Sequence, residues 1–600
     1  MEFNRRSLAL MLFSGLLGLA FLWLPLGVLF NLDRGLDVSD TGHYYVSLYH
    51  LVDIRMMSTQ FALVWNLIPH PDNILVNRLL VFALLSTSSA ALFLIAARAV
   101  LREVLAPLQK WLLVTAGIGS AGLYYYYWLP DPSYNAIGVI LMALVLAATF
   151  SVSQIDDSKG WSFKGAAMLA GFAGLALVAT RPVTALALAG LCALLYLVVA
   201  RHSWTRFWGL ILFALLGAAL FFVLVQVFIE PLQTTLARIE GGLLKREILG
   251  SNQLVAKSFT LLQKEIASVL HTAPWALLLA SIGGAISAPG IAERHQQSAR
   301  IRLVGGALGA AGLAWMQVVF WQQSQALTQF SLDELAYYVF NLGLIAALSC
   351  AFAGAMAPHK ETRILYWRLA SVCILLILTT LSLTVFGTGY WIRKAGIASV
   401  FVVLACTLVT LNMARGTGYI WALAMTCALI LPMVATRTTM INHPYRLETP
   451  LGGQTQKTSI RGERSTLRLD PLTKAFFDRL STAANEMGPV GQRPILIDLS
   501  GRLPMAQYHM QARPAFTPWL LSAYKGSDAF LAHVIAQMSD EALSRAWILD
   551  APGYKNRLNP SPIIERGFNL QNDYRIIGTA FAPYIKTDIV LLAPKSKGAE

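Results

Sequence analysis

Acidic residues are scarce in the long apolar part of this chain, so the few that occur there are informative. Asp37 and Asp40 stand in a turn-rich run, Asn31-Leu-Asp-Arg-Gly-Leu-Asp-Val-Ser-Asp-Thr-Gly-His43, that follows the first apolar stretch. Asp131 is bracketed by Pro130 and Pro132, which stiffen the backbone around it. Carboxylates gathered at one surface suit proton abstraction from a hydroxyl. They also suit coordination of a hard divalent cation. Each acid has a plainer use as well: Asp40 is placed to cap the helix that follows it, and Asp131 suits an ordinary turn.

Basic residues on the same side are equally few. Arg181 precedes Pro182 in a tight turn, and Arg393 and Lys394 follow Thr388-Gly-Tyr390-Trp391. Positive charge at headgroup depth suits a lipid phosphate, with snorkelling to the bilayer surface as the ordinary alternative. His43, Tyr44, Tyr134, Asn135 and Tyr390 neighbour these charges in sequence and complete the candidate binding set.

What must position these groups is a membrane bundle. Of 600 residues, 56% are hydrophobic and only 13% charged, against about 25% charged in soluble domains. That excludes a purely soluble or a disordered chain, and five cysteines, all in apolar runs, exclude a disulfide scaffold. Apolar runs of about 20 residues predict about thirteen spanning helices. They lie near 8–30, 75–97, 111–129, 134–153, 165–181, 183–200, 207–229, 273–291, 301–321, 335–357, 363–386, 395–413 and 417–437. The first run follows Arg5 and Arg6 and is expected to be an uncleaved anchor.

The net charge of +15 would suggest nucleic acid in a soluble protein. Here no nucleic acid partner is expected, because outside the C-terminal part most Lys and Arg fall in alternate short loops. That asymmetry predicts an integral plasma (inner) membrane protein with a cytoplasmic N-terminus and an extracytoplasmic C-terminus. Three outer segments exceed simple connectors. Residues 31–74 carry tyrosines at helical spacing and predict interfacial helices with rings at headgroup depth. Residues 230–272 carry two amphipathic stripes. Residues 438–600 alternate strand and helix patterns, predicting an extracytoplasmic (periplasmic) α/β domain after a transmembrane domain of residues 1–437.

This layout resembles the GT-C superfamily of integral-membrane glycosyltransferases, such as aminoarabinose transferases and protein O-mannosyltransferases. Asp40-Thr-Gly-His-Tyr44 is similar to the acidic motif opening that family's first outer loop, without the second acid of Asp-Glu, and Asp131 stands where its second acidic motif lies. The resemblance implies a polyprenyl-phosphate-linked sugar donor and a glycan, lipid or protein acceptor. It implies inverting transfer with Asp40 as general base. Asp37 and Asp131 would position the acceptor or hold Mg²⁺ or Mn²⁺, with Asp40 and Asp131 as the candidate metal ligands, and Arg181, Arg393 and Lys394 would stabilise the leaving phosphate. Two rivals remain. One is an O-antigen polymerase or ligase using Arg or His of a late loop. The other is a transporter or flippase, for which Asn341 and Gln226 are the few mid-membrane polar candidates.

Overall fold

The computed structural model describes residues 5–155, 160–200, 204–250, 254–291, 298–323, 332–384, 391–414 and 418–595. Each of the thirteen apolar runs contains helix. Among the described residues, nine helices are long and apolar enough to cross a membrane unaided, and two bent pairs raise this to eleven. The pairs Thr260–Thr272 with Pro274–Ser287 and Ile392–Ala398 with Val400–Met413 each bend by 70°. In the first, Pro274 supplies no backbone donor at the break. The remaining two runs are the helix Arg5–Leu29 and the helix Pro107–Ala121, which tightens into a 3₁₀ turn, Gly122–Tyr127. The protein is a polytopic helical membrane bundle.

The last spanning helix, Tyr419–Asn442, runs five residues beyond its expected end, and an α/β domain follows. β1 (Gln456–Ile460) and β2 (Ser465–Leu469) form an antiparallel hairpin. β3 (Ile495–Asp498), β4 (Arg513–Pro514), β5 (Trp547–Asp550), β6 (Tyr574–Ala582) and β7 (Thr587–Pro594) form one sheet in the order β4-β3-β5-β7-β6. β3 is parallel to β4 and β5, and β7 is antiparallel to β5 and β6. β3 and β5 are buried along their whole length, as apolar runs covered on both faces should be.

This domain is clamped to the segment after the first span. Gly35 N donates to Arg468 O at 2.9 Å, Arg468 N to Asp33 O at 2.7 Å and Met505 N to Val38 O at 3.0 Å. Asp72 accepts from Arg461 (2.7 Å), Arg464 (2.5 Å) and Tyr508 (2.9 Å). The helix Asp40–Tyr49 therefore lies beneath the domain, with the backbone of Pro504 and Met505 against Gly42. Tyr45, expected at headgroup depth, is buried instead, its ring 5.0 Å from that of Tyr508 in the domain. Segment 230–272 forms two helices, Leu232–Ile248 and Leu254–Thr272. Buried Arg238 ties the first of them to Glu230, to Gln60 (3.0 Å) and to the carbonyl of Ile54 (3.0 Å).

Candidate active site

The helix Asp40–Tyr49 needs acceptors for its first amides, and Asp37 supplies them. Its carboxylate receives the amides of Ser39 (3.2 Å), Asp40 (2.6 Å) and Thr41 (3.2 Å) and the Ser39 hydroxyl (2.8 Å). These amides are capped by Asp37 and not, as expected, by Asp40, and Asp37 is buried with its lone pairs engaged.

Asp131 is engaged as fully. It is fully buried, and both its oxygens meet Arg78, Nε at 2.8 Å and Nη2 at 3.3 Å. Thr41 (2.8 Å) and Tyr45 (3.1 Å) donate their hydroxyls to it as well. The rest of the Arg78 guanidinium donates to the carbonyls of Leu32 (2.8 Å) and Gly35 (3.0 Å). A buried, bidentate, fully satisfied pair of this kind fixes the loop over the bundle. Asp131 thus lies next to the Asp40 helix, as expected, but braces it.

Asp40 is the acid left facing outward. It is half-buried, and Oδ2 accepts from Arg446 Nη1 at 2.9 Å. The same nitrogen donates to Ser39 Oγ at 2.5 Å. Arg446 comes from the loop after the last span and sits at φ +58°, the left-handed region that β-carbons disfavour. Its guanidinium lies 4.5 Å from the Tyr445 ring centroid and 5.7 Å from that of Tyr584. On its other side Arg446 lines a cavity of about 350 Å³ with Val38, Phe476, Leu503 and Tyr584. Burial pushes the Asp40 carboxyl up to about 6; the Asp37 charge adds to this, while Arg446 opposes it.

Several expected binding residues gather near Asp40. Arg181, from the turn before the helix Pro182–Val199, donates to Leu383 O (2.6 Å) and to the side chain of Asn135, and stacks 5.0 Å over Tyr134. Tyr134 meets Tyr44 edge-on at 5.9 Å. Lys394 lies where the charges of both Asp40 and Arg181 reach it. Arg181, Tyr134, Asn135 and Lys394 are each half-buried. Arg502 adds a further positive charge felt by Asp40.

Other expectations part company here. Arg393 turns to Asp333 in an ion pair, so a lipid phosphate would have to compete with that carboxylate. His43 packs between Phe61 (6.3 Å) and Trp519 (6.0 Å), where burial and then the Lys245 charge push it down to about 3 and hold it neutral. Tyr390 lies outside the described residues. A Mg²⁺ or Mn²⁺ ion between Asp40 and Asp131 does not fit this donor set. The guanidinium of Arg78 takes the cation's place on Asp131, and no group of three or more His, Cys, Asp or Glu suited to a metal occurs among the described residues.

Three residues central to this geometry escape a reading of the sequence. Arg78 sits inside the apolar run 75–97, and a lone charge in a span is itself a signal for a buried partner. Arg446 and Arg502 carry no such mark among the many arginines of the C-terminal part.

No family model matches the chain, and no curated protein matches it. Among solved structures it is similar to the crystal structure of ArnT from Cupriavidus metallidurans in the apo state, at 14% identity and a TM-score of 0.36, over 95% of this chain and 97% of that one.

Proposed function

We propose that this protein is an integral-membrane glycosyltransferase of the GT-C kind. It moves a sugar from a polyprenyl-phosphate donor to a hydroxyl of a glycan, lipid or protein acceptor. The observation that carries this reading is one half-exposed carboxylate, Asp40, raised to about 6 and set among cations. A base poised near neutrality beside a seat for an anion is what such a transfer requires.

In this reading Asp40 takes the proton of the acceptor hydroxyl as its oxygen bonds to the anomeric carbon. The bond from that carbon to the phosphate oxygen breaks in the same displacement, through an oxocarbenium-like state, and the anomeric configuration inverts. The leaving phosphate keeps the electron pair, and Arg181 and Lys394 stabilise its charge. Tyr44, Tyr134 and Asn135 orient the sugar or support Arg181. Asp37 and Asp131 act only by holding the Asp40 helix. No step is routed through a metal. The positive-inside bias of the loops supports a cytoplasmic N-terminus, with this chemistry and the C-terminal domain on the far side of the inner membrane.

Asp40→Asn keeps size and polarity and removes the base. Transfer of labelled sugar from polyprenyl-phosphate donors by membranes of the native host should fall at least 10²-fold, with expression and thermal stability unchanged. Full activity in that variant refutes the assignment. Loss on Arg393→Ala with retention on Asp40→Asn would favour the polymerase alternative.

A further inference from the structure

The helix Leu254–Thr272 carries an acid where its pattern calls for an apolar side chain. Glu265 lies four residues before Val269, on the same face, and both are buried, Glu265 to 5% exposure. Ile266 and Leu270, one position further on, are exposed. A carboxylate so placed is costly unless it is hydrogen-bonded. Its partners are two backbone amides from a distant part of the chain: Oε2 accepts from Trp391 N at 2.9 Å and from Ile392 N at 2.8 Å. Oε1 is buried with no donor among the described residues, so the hydrogen bonding of this carboxylate falls on those two amides.

Those amides open the short helix Ile392–Ala395, which packs against Leu254–Thr272, Leu332–Met356 and Lys360–Ser382. Thr384 Oγ1, just beyond the last of these, donates to Trp391 O at 3.0 Å. Trp391 is thus held by its N–H from one helix and by its C=O from the end of another. Ile392 and Ala395, three apart, are buried, whereas Arg393 and Lys394 are half-buried and serve different partners. Arg393 pairs with Asp333, and Lys394 lies where the charges of Asp40 and Arg181 reach it.

Burial decides which contact sets the direction of Lys394. The side chains of the Arg393–Asp333 pair are 40% and 30% exposed, and a solvated ion pair restrains its partners weakly. The Glu265 bonds are charge-assisted, shielded from water and made to main-chain amides, so they fix the chain itself rather than one side chain. Rotation of the turn about Trp391 and Ile392 would carry Lys394 off the Asp40 site. We propose that Glu265 is a positioning residue: through the Trp391 and Ile392 amides it holds the turn that presents Lys394 to the Asp40 site. The transferase reading enters only in what Lys394 would meet there, the phosphate of the lipid carrier.

The test reads Lys394 directly in the purified full-length protein. Reductive methylation of Lys394, followed on its peptide by mass spectrometry, should run about fivefold faster in Glu265→Ala than in wild type, with exposed Lys525 unchanged as the internal control. Affinity for a synthetic polyprenyl monophosphate should fall about tenfold in Glu265→Ala and in Lys394→Met, and by no more than about twofold further in the double variant. Glu265→Gln keeps an acceptor for the two amides and should recover most of both effects. An unchanged Lys394 labelling rate in Glu265→Ala overturns the proposal. So do losses that multiply in the double variant, because Glu265 would then act on binding without Lys394. Glu265→Leu, which fills the same buried space, decides should Glu265→Ala not fold. Wild type without affinity for the monophosphate tells against the phosphate seat of the transferase reading, and the labelling rate alone then decides the role of Glu265.

Discussion

Removing Arg446 should make Asp40 harder to ionise. The guanidinium stands 2.9 Å from Oδ2, and the two side chains are 24% and 23% exposed, so solvent screens the pair only in part. An opposite charge at such range lowers a carboxyl by about 1–3 units, and partial exposure favours the low end. In Arg446→Ala the Asp40 carboxyl should therefore rise from about 6 by about one to two units, or about 1.4–2.7 kcal/mol at 1.36 kcal/mol per unit. The protonated acid is what a carbodiimide modifies. The midpoint of pH-dependent carbodiimide labelling of the Asp40 peptide, read by mass spectrometry, should move to higher pH by that amount. The sign for activity follows: a base works when deprotonated, so transfer should rise with pH through about 6 in wild type, and this limb should shift alkaline in the variant. Arg446→Lys should restore part of the shift. A labelling midpoint that stays put or falls would refute the reasoning, because Arg446 would then not be the charge that holds Asp40 down.

Further outcomes follow from the packing. Arg78→Leu leaves Asp131 buried and unpaired and should cost about 3–5 kcal/mol, seen as a marked drop in the unfolding temperature in detergent, while Arg78→Leu with Asp131→Leu should recover much of it; a single variant as stable as wild type would show that the pair is no brace. Gly42→Ala would place a Cβ 2.2 Å from Met505 N and 2.7 Å from its Cα, and backbone cannot yield as a side chain can. It should cost about 1–3 kcal/mol and expose the junction of helix and domain to limited proteolysis.

Much of the fold was legible in the sequence because hydrophobic period and charge asymmetry act over whole segments. The strands Ile495–Asp498 and Trp547–Asp550, expected from the apolar runs at 494–500 and 545–550, lie within two residues of those bounds for the same reason. The hairpin β1–β2 was missed: its alternation is carried by Thr, Ser and Arg as much as by apolar residues, which weakens the signal. At the site, the sequence brought Asp37, Asp40 and Asp131 to one surface. It could not say which carboxylate would be consumed by structure. That depended on Arg78 and on the amides of Ser39 and Thr41, contacts that exist only once the first loop has closed over the bundle. Arg446 was beyond reach, since nothing near it in the chain points to Asp40.

The distance between those two residues along the chain has a consequence for how the protein comes into being. Asp40 and Arg446 are 406 positions apart, so a ribosome makes the acid long before its counter-ion. Until the final quarter of the chain emerges and settles, the Asp40 helix has neither its lid nor its guanidinium. A partly synthesised copy therefore carries every span of the first loop's neighbourhood and still lacks a finished centre, and maturation of the bundle is timed by its last domain.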